Sequence, residues 1–258
     1  MAEYDLDELR AWVQAAGDVA QGYFNNVAGR RKADRTLVTE ADMAIEHMLV
    51  ELLSARYPGH GILGEEHARH GVDREFVWAI DPLDGTASFV AGLPIWGISV
   101  GLLRRGRPYM GLLYFPMLRD WYWAEPDSPA QLNGAAIQVA PPGEWDSEDW
   151  LAVPSNVHRR FDIDFRGKSR SLGSAAASIC YVARGSAVGA LLAHSAIWDV
   201  AAALAVLHAA GGVAVTLSGA DLDTRRLMDG SQQPEPVVVG APAHVAALRD
   251  CIRVRPRR

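Results

Sequence analysis

Residues 76–89, FVWAIDPLDGTASF, set two carboxylates, a glycine and a threonine directly behind an apolar run. FVWAI has the composition of a buried strand, so Asp81 emerges at its carboxyl end, where α/β architectures place ligands. Pro82 removes an N–H and fixes φ. The strand is therefore predicted to stop there and the chain to turn, bringing Asp84 back toward Asp81. Two close carboxylates repel unless a cation or a shared proton intervenes, and a divalent metal is the simplest relief. Gly85 lets the backbone approach a ligand, and Thr86 can cap a following helix whose first N–H groups face an anion. This suits metal-assisted chemistry on phosphate. An Asx-rich turn with Thr86 as a plain helix cap fits the same residues.

Other acids bear on that choice. LVTEAD puts Asp42 beside a helix, GILGEEHARHG sets Glu65 and Glu66 after an apolar run and a glycine, and IWDVAAA puts Asp199 at the start of an apolar helix. Asp42 and Asp199 are each explicable as complements to a helix dipole, and the glutamates as a solvated loop face. Asp199 fits that explanation worst: it lies between Trp198 and VAAALAVLHAAGG, where an unpaired charge is expensive to bury. His67 and His70 lack the HExxH spacing and are read as surface histidines. GSAVG, at 185–189, has its serine one place too early for a nucleophile elbow.

The elements that must carry these residues follow from periodicity. Residues 6–28 place Leu6, Leu9, Trp12, Val13, Ala16, Val19 and Ala20 near helical spacing, which predicts a surface helix with one buried stripe. A second helix is predicted over 40–56, with Met43, Ile45, Met48, Leu49 and Leu52 on its apolar face and Pro58-Gly59 ending it. From 76 to about 139, FVWAI, WGISVGLL, YMGLLYF and WYWAE read as strands closed by an Asn133-Gly134 turn. Their aromatic cluster of Tyr114, Phe115, Trp121, Tyr122 and Trp123 reads as sheet core and dimer-facing surface. APPGEWDSEDW, residues 140–150, is the best boundary. It separates an α+β half, 1–142, from an α/β half, 143–258. In the second half strand-like WLAVPS, AVGALLA and PVVVG alternate with helical SAAASICYVARG, WDVAAALAVLHAAGG and a last helix from about Pro242.

With 258 residues and 49% hydrophobic content, the chain can bury a sizeable core. A net charge of −6 argues against a nucleic-acid partner, and the short basic tail RVRPRR, without aromatic residues, reads as a solvated end. Two cysteines, Cys180 and Cys251, make neither a disulfide framework nor a metal knuckle. The acidic, amphipathic start is unlike a signal peptide, and no apolar run reaches the roughly 20 residues a bilayer requires. A cytoplasmic protein without membrane contact is expected.

LVTEAD, GEE, WAIDPLDGTASFVAGLPIWGISVGLL, LNG, RSLGSAAASICYVARG and WDVAAALAVLHAAGG, in that order over nearly the whole chain, resemble the inositol monophosphatase family. That group includes fructose-1,6-bisphosphatase and the lithium-sensitive phosphatases. The resemblance implies a layered αβαβα sandwich of the sugar-phosphatase type, spanning α+β to α/β, a homodimer, and hydrolysis of a small phosphate ester with two or three Mg²⁺ ions. It implies that Glu65, Asp81 and the Leu83 carbonyl hold one ion, and Asp81, Asp84 and Asp199 a second. A third ion near Glu65 would have water-mediated help from Asp42. Activated water would pass its proton through Thr86 to Glu65 or Asp42, and the amides of Gly85, Thr86 and Ala87 would hold phosphate oxygens. The family's lysine before the VT block corresponds to either Arg31 or Lys32. Gly173 and Ser174 match its pocket-lining GS step, with helix initiation by Ser174 an equal reading.

Two positions depart from the resemblance. Inositol-phosphate hydrolysers of the family carry acids seven and eleven residues before the Trp-Asp aspartate, where this chain has Leu192 and Val188. The alcohol side of the pocket is therefore expected to be more apolar than in polyol-binding relatives. Two rival classes are an aspartyl-phosphate phosphatase and a non-catalytic sugar-phosphate-binding or interaction protein on the same fold. The first requires acids two apart, whereas Asp81 and Asp84 are three apart. The second has no physical need for so many converging acids.

Overall fold

The computed structural model describes residues 3–32 and 36–256. Helix α1 (Leu6–Tyr23) begins where the Asp5 carboxylate accepts the Glu8 N–H at 3.1 Å. It is shorter than its apolar pattern predicts, because Phe24 is extended and Asn25 takes a positive φ of 64°. Helix α2 (Glu40–Arg56) has the predicted bounds and opens with a capping box between Thr39 and Asp42. Its buried stripe is Ala41, Asp42, Ile45, Glu46, Leu49 and Leu53, so the face expected from Met43, Met48 and Leu52 is only half-buried. Two acids occupy the covered face in their place.

Both helices cover one side of an eight-stranded sheet whose centre is Gly61–Gly64, Phe76–Asp84, Gly97–Arg104, Arg107–Phe115 and Asp120–Ala124. Gly61–Gly64 runs parallel to Phe76–Asp84, and the successive pairs beyond are antiparallel. Asn133 and Gly134, at φ 52° and 86°, make the two-residue turn that ends the sheet, as their sequence signals. Tyr114, Phe115 and Tyr122 are buried, while Trp121 and Trp123 are partly buried beneath the Arg10 guanidinium.

The sheet's other side packs on α5 (Ala175–Ala183) and α6 (Ile197–Ala209), entered after short helices α3 (Thr86–Val90) and α4 (Val157–Arg160). Helix α6 is apolar on nearly every face because it lies between two sheets. Its approach is close: a Cβ at Gly111 would lie 2.1 Å from the Ala202 oxygen, and one at Gly101 2.7 Å from the Ala202 nitrogen. The second sheet orders Lys168–Arg170, Trp150–Ala152, Gly189–Leu192, Val237–Gly240 and Val213–Thr216. Helix α7 (Val245–Asp250) contributes Leu248 to the cluster on its far side. This gives the expected layers, helices, sheet, helices, sheet and helix. One apolar cluster joins Leu113, Phe115 and Tyr122 to Ala177, Leu204 and Val239, so the core is continuous across residues 140–150.

Candidate active site

The strand Phe76–Asp84 does not stop at Pro82 as its sequence predicts. Asp81 pairs with Ser99 and Asp84 with Gly97, so three steps on one strand face two on the other. This is a β-bulge. Residues three apart on a regular strand point to opposite faces, and one extra residue restores parity, so the bulge turns both carboxylates to one side. Gly85, at φ 90°, then occupies the position before α3. Thr86 is consequently the first helical residue and not the cap. Its hydroxyl lies 3.0 Å from Asp42 Oδ1 and 3.1 Å from the Leu83 carbonyl oxygen and can donate to either.

Carboxylate oxygens of Glu65, Asp81 and Asp199 lie within 4.8 Å of one another. Glu65 arrives from the loop after Gly61–Gly64, Asp81 from the bulged strand and Asp199 from the first turn of α6. Asp199 Oδ2 accepts the Ala196 N–H at 2.8 Å, while its other oxygen accepts no hydrogen bond among the described residues. Asp42 is divided the same way: Oδ2 accepts the Thr39 N–H at 2.7 Å and Oδ1 faces Thr86. In both, one oxygen stabilises a helix start, as the bland reading expects, and the second is left for the site.

Asp84 stands apart from that cluster. Its oxygens accept the Ala175 and Ala176 N–H groups at 3.1 and 3.3 Å, and the Ser174 hydroxyl also donates to it. Ser174 Oγ in turn accepts the Ala177 N–H at 2.8 Å, so Ser174 initiates α5 as one of its two readings expects. Gly173, at φ 76°, sits so close to Ser88 that a Cβ would lie 2.2 Å from its hydroxyl.

Burial raises the carboxyl pKa of Asp81 and Asp199 well above the ordinary range, and the Glu65 charge adds to both. Burial also raises Asp84, to about 6, against the opposing hydrogen bonds from Ser174 and the α5 amides. Asp42 is raised by burial despite the hydrogen bonds it accepts. Of the two basic residues, Lys32 is the one seen beside the glutamates: Nζ lies 2.9 Å from Glu65 Oε1 and 2.6 Å from Glu66 Oε1. Burial opposes the Lys32 charge, but hydrogen bonds and attraction from both glutamates hold its pKa above the usual lysine range. Glu66 is raised by burial to about 7. Lys32 pairs with Glu65 and Glu66 and not with Asp81, Asp84 or Asp199. Lys32 answers only part of the charge of this all-oxygen donor set, and such a set fits a hard divalent cation.

A cavity of about 260 Å³ is bounded by the turns that carry Gly173-Ser174 and Ser195, and meets the acids through Ser174, which donates to Asp84. Leu192 and Arg160 line it, and no carboxylate does. Val188 does not reach it. That residue precedes the strand Gly189–Leu192 and packs with Leu151, Leu191 and Leu248, because the strand's opposite end carries the cavity. His67 and His70 are exposed, as expected. Glu46 was not singled out from sequence: it is a buried acid accepting three backbone N–H groups from 66–68. Its recurrence four residues after Asp42 was the available signal.

A five-layered sandwich of this order, with acids gathered from a loop, a bulged strand and a helix start, has the fold of the sugar-phosphatase type. The inositol monophosphatase family profile matches residues 3–248, and the chain belongs to that family. It is 36% identical over 250 residues to an inositol-1-monophosphatase of Synechocystis, covering 87% of this chain and 86% of that one. A histidinol-phosphatase of Chlorobaculum parvum is 34% identical over 227 residues, covering 81% and 84%. The solved structure of a Thermotoga maritima IMPase superposes with a TM-score of 0.84 at 25% identity, covering 95% of each chain. The protein is thus an enzyme of the phosphoric monoester hydrolase class, which sets aside the non-catalytic alternative. No helix among the described residues is long and apolar enough to cross a membrane.

Proposed function

We propose that the protein is a Mg²⁺-dependent phosphomonoesterase acting on a small phosphorylated metabolite of the inositol phosphate, sugar phosphate or histidinol phosphate class. The convergence of Glu65, Asp81 and Asp199 carries this reading, since three carboxylates within 4.8 Å of one another are a ready cage for a cation that offsets their mutual repulsion. Glu65, Asp81 and Asp199, with Asp84 and the Leu83 carbonyl, would hold the metal. When bound, it would polarise the phosphate and lower the pKa of the attacking water.

The chain's own residues supply the remainder. Thr86 Oγ1 accepts a proton from the attacking water and passes its own to Asp42 Oδ1, 3.0 Å away. Burial keeps Asp42 a better proton acceptor than a free carboxylate. The amides of Gly85, Thr86 and Ala87 hold phosphate oxygens where the chain enters α3. Gly173, Ser174 and Leu192 border the alcohol portion of the substrate, and the apolar wall favours a less hydroxylated or aromatic ester over inositol 1-phosphate. Val188 supports that wall from the packing behind it, with Leu151, Leu191 and Leu248.

Phosphate release from a panel of inositol, sugar, histidinol and nucleoside 3′,5′-bisphosphate esters, with Mg²⁺ or EDTA, tests the proposal. Turnover is expected with Mg²⁺ and not with EDTA, and millimolar lithium is expected to slow it relative to sodium. Equal turnover with EDTA overturns the metal reading. Sedimentation of the same preparation tests the homodimer and cytosolic fractionation the location, both part of this proposal.

A further inference from the structure

Glu65 can meet Asp81 and Asp199 only if the turn after Gly61–Gly64 is held in one conformation, and its backbone shows how that is done. The Gly64 N–H donates to the Ala68 oxygen at 2.7 Å and the Glu65 N–H to the Ile80 oxygen at 3.1 Å. The next three N–H groups converge on one side chain. Glu46 Oε2 accepts from Glu66 at 2.7 Å, and Oε1 accepts from His67 at 2.7 Å and Ala68 at 3.0 Å. Successive N–H groups wrapped around an anion form a nest, and here the anion belongs to the protein itself. Glu46 is only 4% exposed, and each hydrogen bond to a carboxylate is of the stronger, charge-assisted kind.

We infer that Glu46 is the positioning residue for Glu65: an internal anion that clamps residues 66–68 and so fixes how the preceding glutamate enters the acid cluster. Gly64 is part of the device. A Cβ there would lie 2.5 Å from Glu46 Oε2, so a larger residue would push the carboxylate from its place in the turn. Asp42 and Glu46 are one helical turn apart on the buried stripe of α2. One helix thereby braces Thr86 with its first acid and the Glu65 turn with its second. The consequence for metal binding rests on the proposed role of Glu65 as a ligand, whereas the clamp itself does not.

Two measurements separate these. In metal-free protein, amide hydrogen exchange at Glu66, His67 and Ala68 should accelerate at least tenfold in Glu46→Gln, which replaces an acceptor oxygen with a donor. By calorimetry with Mg²⁺ alone, Glu46→Gln should weaken binding by about 10–100-fold, the range seen when the partner that orients a metal ligand is lost. Gly64→Ala displaces the clamp from the other side and should do the same, with the double variant no worse than the poorer single. Glu51→Gln, an exposed acid on the same helix, should change neither reading. A role confined to stability would lower Tm while leaving Mg²⁺ affinity and the 66–68 amides unchanged, and that result overturns the inference. Equal loss in Glu51→Gln overturns it too, by making the effect one of net charge. Wild-type protein that protects these amides through Glu46 but binds no Mg²⁺ overturns the metal reading of the site and the positioning role with it, leaving the clamp as structure only.

Discussion

In metal-free protein, stability should fall as pH rises from 4 to 7, the reverse of ordinary acid denaturation. Asp84 is carried from 3.8 to about 6 by burial. A carboxyl whose folded pKa is raised contributes stability that is complete below its unfolded pKa and is lost as pH climbs through the folded value. For Asp84 that loss is about 3 kcal/mol by pH 7, or roughly 6–12 °C in Tm for a chain of this size. Burial moves Asp81 and Asp199 in the same direction, and Glu66, raised to about 7, extends the window upward. Asp162 and Asp223, lowered by hydrogen bonds from Arg255 and Arg225, act with the opposite sign, and their contribution is lost as pH falls below about 4. Calorimetric scans of EDTA-treated protein at intervals from pH 4 to 8 should show a declining Tm, and Mg²⁺ should raise Tm most at the upper end. Asp84→Asn keeps an acceptor for the Ala175 N–H and removes the charge. It should make the metal-free protein more stable than wild type by about 3 kcal/mol at pH 7. A metal-free Tm that is level or rising between pH 4 and 7, or a Mg²⁺ shift no larger at pH 7 than at pH 5, refutes the electrostatic reasoning.

Asp199→Asn should abolish most activity and weaken Mg²⁺ binding while leaving the metal-free fold intact by circular dichroism; activity within a few-fold of wild type removes Asp199 from the ligand set. Thr86→Val keeps the branched shape but cannot relay a proton to Asp42, so kcat should fall by about 10²–10⁴-fold with little change in KM. A loss under tenfold rejects the relay. Leu192→Glu should shift the kcat/KM ratio toward inositol 1-phosphate over an aromatic phosphomonoester by roughly tenfold, if one charged hydrogen bond of about 1.5 kcal/mol is gained. Because Leu192 is buried in the core cluster, that ratio, which cancels any loss of folded enzyme, is the quantity to measure.

Much of this molecule could be read before its fold was known. The apolar run before Asp81, the Thr39 start of α2, the Asn133-Gly134 turn and the all-round apolar α6 follow from local rules, because each depends on a few neighbouring residues. The ordered blocks from LVTEAD to WDVAAALAVLHAAGG already pointed to the family that the comparison shows. What sequence could not supply was relative placement. Pro82 looked like a strand stop, but pairing with Gly97–Arg104 carries the strand onward through a bulge, and that extra residue brings Asp84 to the same side as Asp81. The pairing of Lys32 with Glu65 and Glu66 depends on where the glutamates lie, which the adjacent Arg31-Lys32 in the sequence does not show. Val188 and Leu192 looked equivalent until the strand between them brought Leu192, and not Val188, to the cavity, although both are buried. The spacing of Glu46 from Asp42 marks it as a candidate, but its partners do not show in sequence because they are backbone N–H groups, which every residue but proline offers. Sequence determines which groups exist and their local conformation, whereas convergence of acids from a loop, a strand and a helix depends on contacts between segments far apart in the chain. Those distances are set by packing, here by how closely Gly101 and Gly111 let α6 and its Asp199 approach the first sheet.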